Sequence, residues 1–388
     1  MHAENRIPVT HVGSLVRPQE IVDLATAIEN GATVDFADFD RVVRQAIEDV
    51  VRRQKEVGID FVSDGEFGKL RSWAHYVVDR LSGLEERDVA AAAGLGKDAR
   101  LFPDFYGEYF PTQSLPKRGI LAAVAPIAYT GQDAVWTDIN RFQSALEHVP
   151  GVEGFMPVVA PTSAVPRHLN EYYDSEEDFL FAVADAMHAE YRAIVEAGLI
   201  VQLDDAYLPY MYDVAFADRP MSDYLDWAEL QVAAVNRALE NLPEDRVRYH
   251  ICWGSFNTPH TTDVALKDIA GIVTQVKAGA YCIEMANPRH AHEWKVWETV
   301  ALPAGRKLVP GCVSHSTNVV EHPELVAERL VRLAHLVGRE NIMAGTDCGF
   351  SQSPRSRRVH ESIQWAKLQS LAEGARIASE ALWGRAAA

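Results

Sequence analysis

Cysteine is scarce in this chain: Cys252, Cys282, Cys312 and Cys348 are the four among 388 residues. So few thiols in so long a chain exclude a disulfide framework and leave burial, metal binding or reactivity as their uses. Positive charge is also short, with 37 Lys and Arg against 55 Asp and Glu and a net charge of −18. That balance argues against nucleic acid or an anionic membrane as partner, though a local basic pocket for a small anion is still allowed. There is no run of about 18 apolar residues, so no membrane-spanning helix is expected. The opening "MHAENRIPVTHVGS" lacks the basic, apolar, small-residue order of a secretory signal, which makes the cytoplasm the expected compartment. Tandem repeats, low-complexity tracts and long Pro/Ser linkers are missing too.

What is present is an alternation of short apolar runs with longer amphipathic segments, the pattern of βα units around a parallel sheet. The runs read as strands lie at 8–14, 60–66, 155–161, 199–205, 248–254, 280–286, 307–313 and 341–348. Between them, 40–58, 178–198 and 323–338 carry apolar residues at helical spacing and each ends at a glycine. Eight strands separated by helices predict an α/β chain of the (β/α)₈ TIM-barrel type, with a doubly wound open sheet as the competing topology. The expected organisation is one catalytic domain over 1–388. Residues 85–150, after the second strand, are rich in Gly, Pro and aromatics and would form an insertion subdomain. Its Phe102, Phe105, Tyr106, Tyr109 and Phe110 suit either a ligand cover or a contact within a homo-oligomer.

The expected strands share one peculiarity: their C-terminal ends are polar. Ser14, Asp64, Glu66, Asp204, Asp205, His250, Cys252, Glu284, Asp347 and Cys348 would gather at one mouth of a barrel, where barrel enzymes keep their chemistry. Residues i and i+2 of a strand face the same way, so His250 and Cys252 would point into that mouth together. Imidazole nitrogen and thiolate sulfur both suit zinc, and Glu284 and Cys348 from two further strands would complete four ligands. A buried cysteine is more often a small apolar residue, and Cys282 and Cys312 are rival sulfurs. The cluster His290, His292 and Glu293 in "PRHAHEW" reads as a solvated or substrate-facing loop.

The motifs "HVGS", "SDGEFGK", "QLDDAY", "HICWGSFN", "IEMANPR", "HST" and "GTDCGF" run in the order found in the catalytic barrel of cobalamin-independent methionine synthase. The chain resembles that superfamily, to which epoxyalkane:coenzyme M transferase also belongs, over nearly its whole length. The resemblance implies a zinc-dependent S-alkyltransferase of methionine biosynthesis. It implies His250, Cys252, Glu284 and Cys348 as Zn2+ ligands, and Ser14, Glu66 and Asp204 as contacts to a homocysteine-like acceptor. Asp347 would sit behind the last ligand. His315, beside Ser316 and backed by Asp64, would handle the proton of the leaving group, and Trp253, after Cys252, would wall the pocket of the donor or simply pack. Two departures bear on the donor: Asp204-Asp205-Ala206 stands where the synthase reads Asp-Glu-Pro, and the synthase's second barrel, which helps bind folate, has no counterpart in this sequence. Methyltetrahydrofolate is therefore one candidate donor, and opening of an epoxide by a small thiol is the alternative.

The chemistry explains why such a site needs a dication. A thiol with a pKa of roughly 8.5 is only a few per cent ionised at neutral pH, and coordination removes its proton outright. For a sulfonate-bearing thiol, Arg17, Lys69 and Arg71 would be the cations within reach. Glu66 and Asp204 would instead receive an ammonium group, unless they cap helices or pair with Lys69 or Arg71. Two readings lie outside this class: a metal-free enzyme like uroporphyrinogen decarboxylase, for which two thiolates have no use, and a binding module with structural zinc.

Overall fold

The computed structural model describes residues 5–87, 96–112 and 120–384. In chain order its strands are β1 (Phe61–Val62), β2 (Leu81–Arg87), β3 (Ile120–Tyr129), β4 (Glu153–Val159), β5 (His168–Asn170) and β6 (Ile200–Asp204). They continue with β7 (Val247–Ile251), β8 (Ala280–Ile283), β9 (Lys307–Val313), β10 (Gly345–Thr346), β11 (Ser351–Ser353) and β12 (Ser356–Arg357). Seven of these form one sheet in the order β1-β4-β6-β7-β8-β9-β10. Every pairing within it is parallel.

The eighth stave is the segment around Val9. It is shorter than the strand expected at 8–14, and it joins both edges of the sheet. Thr10 N donates to Ala344 O and Ala344 N to Pro8 O, while Asp60 N and Phe61 N donate to Val9 O. The sheet is thereby closed as the (β/α)₈ barrel expected from the strand count, not left open.

The helices follow from the patterning that predicts them. In Phe36–Glu56 the buried residues Phe39, Val42, Val43, Ile47, Val50 and Val51 recur at helical spacing, and Asp35 caps the start by accepting from Ala37 N. Ser175 caps Glu176–Glu196 through Asp178 N. Pro323 opens the helix Pro323–Val337 at a position where its missing N–H costs nothing. The final helix, Glu361–Trp383, lies so close to it that a Cβ on Gly374 would stand 2.4 Å from Val326.

Residues 88–95 and 113–119 of the expected insertion lie outside the described residues. The described part consists of two short helices, Lys97–Leu101 and Pro103–Thr112, and the antiparallel pair β2–β3, with β5 alongside β3. Gln132–Glu147, which falls within the expected bounds of 85–150, packs instead between Phe36–Glu56 and Glu176–Glu196 as part of the outer helical ring.

Inside the barrel, Phe61, Phe155, Ile200, Ala280, Cys282, Val309 and Met343 form a separate apolar cluster. Arg248 is fully buried with them, its guanidinium 4.1 Å over the Phe155 ring and hydrogen-bonded to Thr10 Oγ1 and His11 O. These layers plug the lower barrel and leave the C-terminal ends of the strands as the place for chemistry.

Candidate metal centre

His250 is the fourth residue of β7, and Cys252 follows the strand's end by one residue. Their i, i+2 spacing turns both inward, while Tyr249 between Arg248 and His250 points out to hydrogen-bond Asp205 at 2.7 Å. Cys348 arrives from the other side, two residues past β10. The donor atoms of His250, Cys252 and Cys348 all lie within 4.8 Å of one another, with the two sulfurs 3.6 Å apart. His250 Nδ1 is fixed against Cys282 O at 3.2 Å, and its Nε2 is buried with no hydrogen-bond partner. A buried imidazole nitrogen without a partner, beside two sulfurs, is what an ion-binding set leaves when described without the ion.

Glu284, one residue past β8, falls in an adjoining group with His315 and Asp347, whose ligand atoms are also within 4.8 Å of one another. Its carboxylate accepts from Trp253 N at 3.1 Å and from Asn287 Nδ2 at 3.1 Å, so the loop after the neighbouring β7 and its own loop together aim it. Asp347 Oδ1 accepts from Met285 N and Ala286 N, tying the turn after Glu284 to the residue before Cys348. Burial, with Glu284 nearby, pushes the Asp347 carboxyl up to about 8. The two thiols share a proton. Cys348, as acceptor from Cys252, is held well below the usual thiol range, and Cys252 as donor is pushed well above it. Burial works to lower His250, but the Cys348 sulfur outweighs it and the imidazole titrates higher than usual.

The expected substrate contacts form a second cluster on the same mouth. Glu66 adopts φ 61°, a left-handed conformation rare for a residue with a side chain. Its Oε1 pairs with Lys69 Nζ at 2.7 Å and its Oε2 is buried without a partner. Asp204 takes a hydrogen bond from Gln202 at 2.8 Å, and burial lifts it to about 7. Burial also lifts Asp64 to about 6, and its Oδ1 accepts from Glu66 N. Ser14 Oγ donates to Ser351 O, pinning the first stave to the turn beyond Cys348.

Several expectations are corrected by position. Among the described residues no hydrogen bond joins Asp64 to His315: β1 and β9 are separated by β10 and the first stave, and Asp347 takes the place beside His315. Both ring nitrogens of His315 are buried without a partner, and burial lowers its pKa. The Trp253 ring does not face the mouth. It is fully buried, donates to Val264 O at 2.7 Å and stacks 4.0 Å from the His290 ring. Its backbone N–H is what reaches the site.

Cys282 sits below the centre, 3.5 Å from an Arg248 nitrogen, and Cys312 is buried with its thiol toward Pro310 O. Arg17 donates to Glu66 O and Ser351 and keeps a buried Nε without a partner, while Lys69 is paired with Glu66 and donates to Pro157 O. Arg71 is exposed and paired with Asp79. Ser316 is half-buried, its Oγ 3.1 Å from Ser314 Oγ. His290 and Glu293 are buried, not solvated; only His292 of that cluster is exposed. Sequence reasoning missed Asn287, Ser255 and Asp98 altogether. Ser255 Oγ lies 3.3 Å from Cys348 Sγ. Asp98 receives hydrogen bonds from His260 N, Thr261 N and Thr261 Oγ1, which clamps the loop after Cys252 to the insertion.

Comparison with known proteins fits this geometry. The family described as "Cobalamin-independent synthase, Catalytic domain" matches residues 164–368. A methionine synthase of Sulfurisphaera tokodaii is 22% identical over 381 residues, covering 97% of this chain and 94% of the relative. An uncharacterized Bacillus subtilis protein, YxjH, is 23% identical over 373 residues, 92% of this chain and 91% of the relative. Among solved structures, a B12-independent methionine synthase from Shewanella sp. W3-18-1 in complex with selenomethionine superposes with a TM-score of 0.71 at 18% identity, covering 97% of this chain and 99% of that one. At that identity the superposition speaks for the fold.

Proposed function

We propose, from the premise that the chain belongs to the cobalamin-independent synthase catalytic-domain family, that it is a zinc-dependent S-methyltransferase acting on homocysteine or a closely similar thiol. The observation that carries the reading is the convergence of one imidazole nitrogen and two sulfurs, from strands far apart in sequence, within 4.8 Å. Nitrogen and sulfur donors of this kind suit zinc, and a carboxylate as the remaining ligand suits a catalytic site better than a structural one. His250, Cys252 and Cys348 would hold the ion, with Glu284 as the oxygen ligand. Zinc, when bound, supplies the charge that keeps the acceptor's sulfur deprotonated at neutral pH.

The chain's own residues do the rest. Glu66 and Asp204 receive the acceptor's ammonium group, with Glu66 Oε2 free to accept it. A cation there offsets the burial that raises Asp204 and favours its ionised form. Holding sulfur and donor in line converts a collision into an aligned displacement, potentially several kcal/mol of barrier. His315, aimed among Glu284 and Asp347, holds a proton at one ring nitrogen and gives it to the leaving group. Phe110, packed on Phe256 at 6.1 Å, belongs to the cover that keeps water from the mouth. The donor is a methyl carrier such as methyltetrahydrofolate. A sulfonate thiol with an epoxide is disfavoured by the carboxylates Glu66 and Asp204 at this end of the mouth and by the pairing of Lys69 with Glu66. The barrel and its insertion act as one catalytic unit, and thiolate ligands suit the reducing cytoplasm.

X-ray absorption at the zinc edge tests this. Protein purified without chelator is expected to contain zinc, and homocysteine is expected to add a Zn–S distance that coenzyme M adds weakly or not at all. A zinc environment indifferent to every thiol would overturn the reading.

A further inference from the structure

A centre of this kind holds nucleophiles of its own. Once Cys252 and Cys348 are ionised as ligands, their sulfurs compete with the acceptor's sulfur for the same electrophilic carbon. Both residues are buried, Cys252 1% exposed and Cys348 9%, so Cys348 is the less covered of the two toward an incoming alkyl group. Ser255 lies against that sulfur, its Oγ 3.3 Å from Cys348 Sγ. An ionised Cys252 has no proton left to share, so the Ser255 hydroxyl becomes the donor placed on Cys348.

The loop that carries Ser255 is held with unusual care. Gly254 turns the chain at φ 97°. Asn257 N donates to Tyr109 Oη at 3.0 Å, and His260 N and Thr261 N donate to Asp98 at 3.0 Å each. The Phe256 ring packs on Phe110 on one side and under the Arg358 guanidinium, 4.9 Å away, on the other. Two short helices of the insertion thus fix the chain just beyond Ser255, at Phe256, Asn257, His260 and Thr261, while Glu284 holds Trp253 N just before it. Among the described residues, its hydroxyl pairs with the Cys348 sulfur.

We propose that Ser255 is a positioning residue that protects the Cys348 ligand from self-alkylation, by donating a hydrogen bond that lowers the nucleophilicity of that thiolate. This rests on the zinc-dependent reading above. In the reaction it suppresses, a bond forms from Cys348 Sγ to the alkyl carbon while that carbon's bond to its leaving group breaks, and the electron pair departs with the leaving group. A hydrogen bond to a charged acceptor is strong enough to change such a rate by about tenfold.

Iodoacetamide is the probe, with carbon–sulfur bond formation at each cysteine followed by peptide mass spectrometry and iodide as the leaving group. Wild type, Ser255→Ala and Ser255→Thr are compared, and zinc is measured in the same samples. All three are expected to hold equal zinc, Cys348 to react about tenfold faster in Ser255→Ala than in wild type, and Ser255→Thr to restore the slow rate. In cobalt-substituted protein, the thiolate-to-metal charge-transfer band should move to lower energy in Ser255→Ala alone. A wild-type rate at Cys348 in zinc-loaded Ser255→Ala overturns the inference, and so does equal acceleration at Cys252 and Cys348, which would mean general loosening. Zinc loss confined to Ser255→Ala also counts against it, because Ser255 is given no part in affinity. A wild type without zinc removes the proposed function itself, and this inference with it.

Discussion

Replacing Asp98 by alanine should loosen the loop after Cys252 and little else. Asp98 is buried; Oδ1 accepts from Thr261 N and Thr261 Oγ1, and Oδ2 from His260 N at 3.0 Å and Tyr106 Oη at 2.8 Å. The hydroxyls can rotate to other partners, but the two amides cannot. Leaving the buried His260 N–H unsatisfied costs about 1–3 kcal/mol, and the amide of the exposed Thr261, which water can reach, adds about 1 kcal/mol. The expected loss is about 3 kcal/mol. Asp213, which holds Asp98 N and Thr262 Oγ1, keeps the insertion helix in place, so the damage should stay local. Hydrogen exchange at 256–262 should accelerate by about a hundredfold, since each 1.4 kcal/mol is tenfold, while the amides of β6 and β7 keep their protection. Exchange in that loop within about twofold of wild type would refute the clamp. Uniform acceleration across the barrel would show that Asp98 supports the whole fold.

Gly311→Ala places a Cβ 2.0 Å from Asp347 Oδ1 and 2.8 Å from Asp347 Cα, so it should cost about 1–3 kcal/mol in a urea titration and weaken zinc retention with it. Cys348→Ser should lose zinc by metal analysis, while Cys282→Ser, below the centre beside Arg248, should keep it. Burial pulls His260 and His290 down, but Asp263 and Glu293 outweigh it and hold them at about 9 and about 10. Both are therefore raised above an unfolded value near 6.5, and the stability they supply is complete below that pH and lost as pH rises through 9 to 10. Melting temperature should accordingly fall between pH 7 and pH 10 in wild type and fall less in His290→Gln.

The barrel was legible because seven staves are short apolar runs separated by helical segments, of which Phe36–Glu56, Glu176–Glu196, Pro323–Val337 and Glu361–Trp383 carry side-chain caps. The first stave is shorter than its apolar run: two backbone contacts on either side of Val9 suffice to close the ring, and no residue pattern announces that. The sulfur and nitrogen donors were legible because the two-residue period of a strand fixes where His250 and Cys252 point. Trp253 and the His290 cluster were misread for a common reason. Both lie in loops, where no period says which way a side chain turns, and in the fold they stack on each other behind Glu284. Asp64 could not have been paired correctly without knowing which staves are neighbours. Ser255 and Asp98 carry no signal at all, because their partners come from loops distant in sequence.

The closing seam also dictates an order of assembly during synthesis. Val12 N meets Thr346 Oγ1 across 334 residues, and the two cysteines of the centre are 96 residues apart. A nascent chain holding everything up to β9 still has an open ring and one sulfur too few. The ribosome must release nearly the whole polypeptide before the first stave can find the last, so on the zinc-dependent reading proposed above metal capture would belong to the final act of folding, and a chain truncated ahead of β10 should bind no ion however well its helices form.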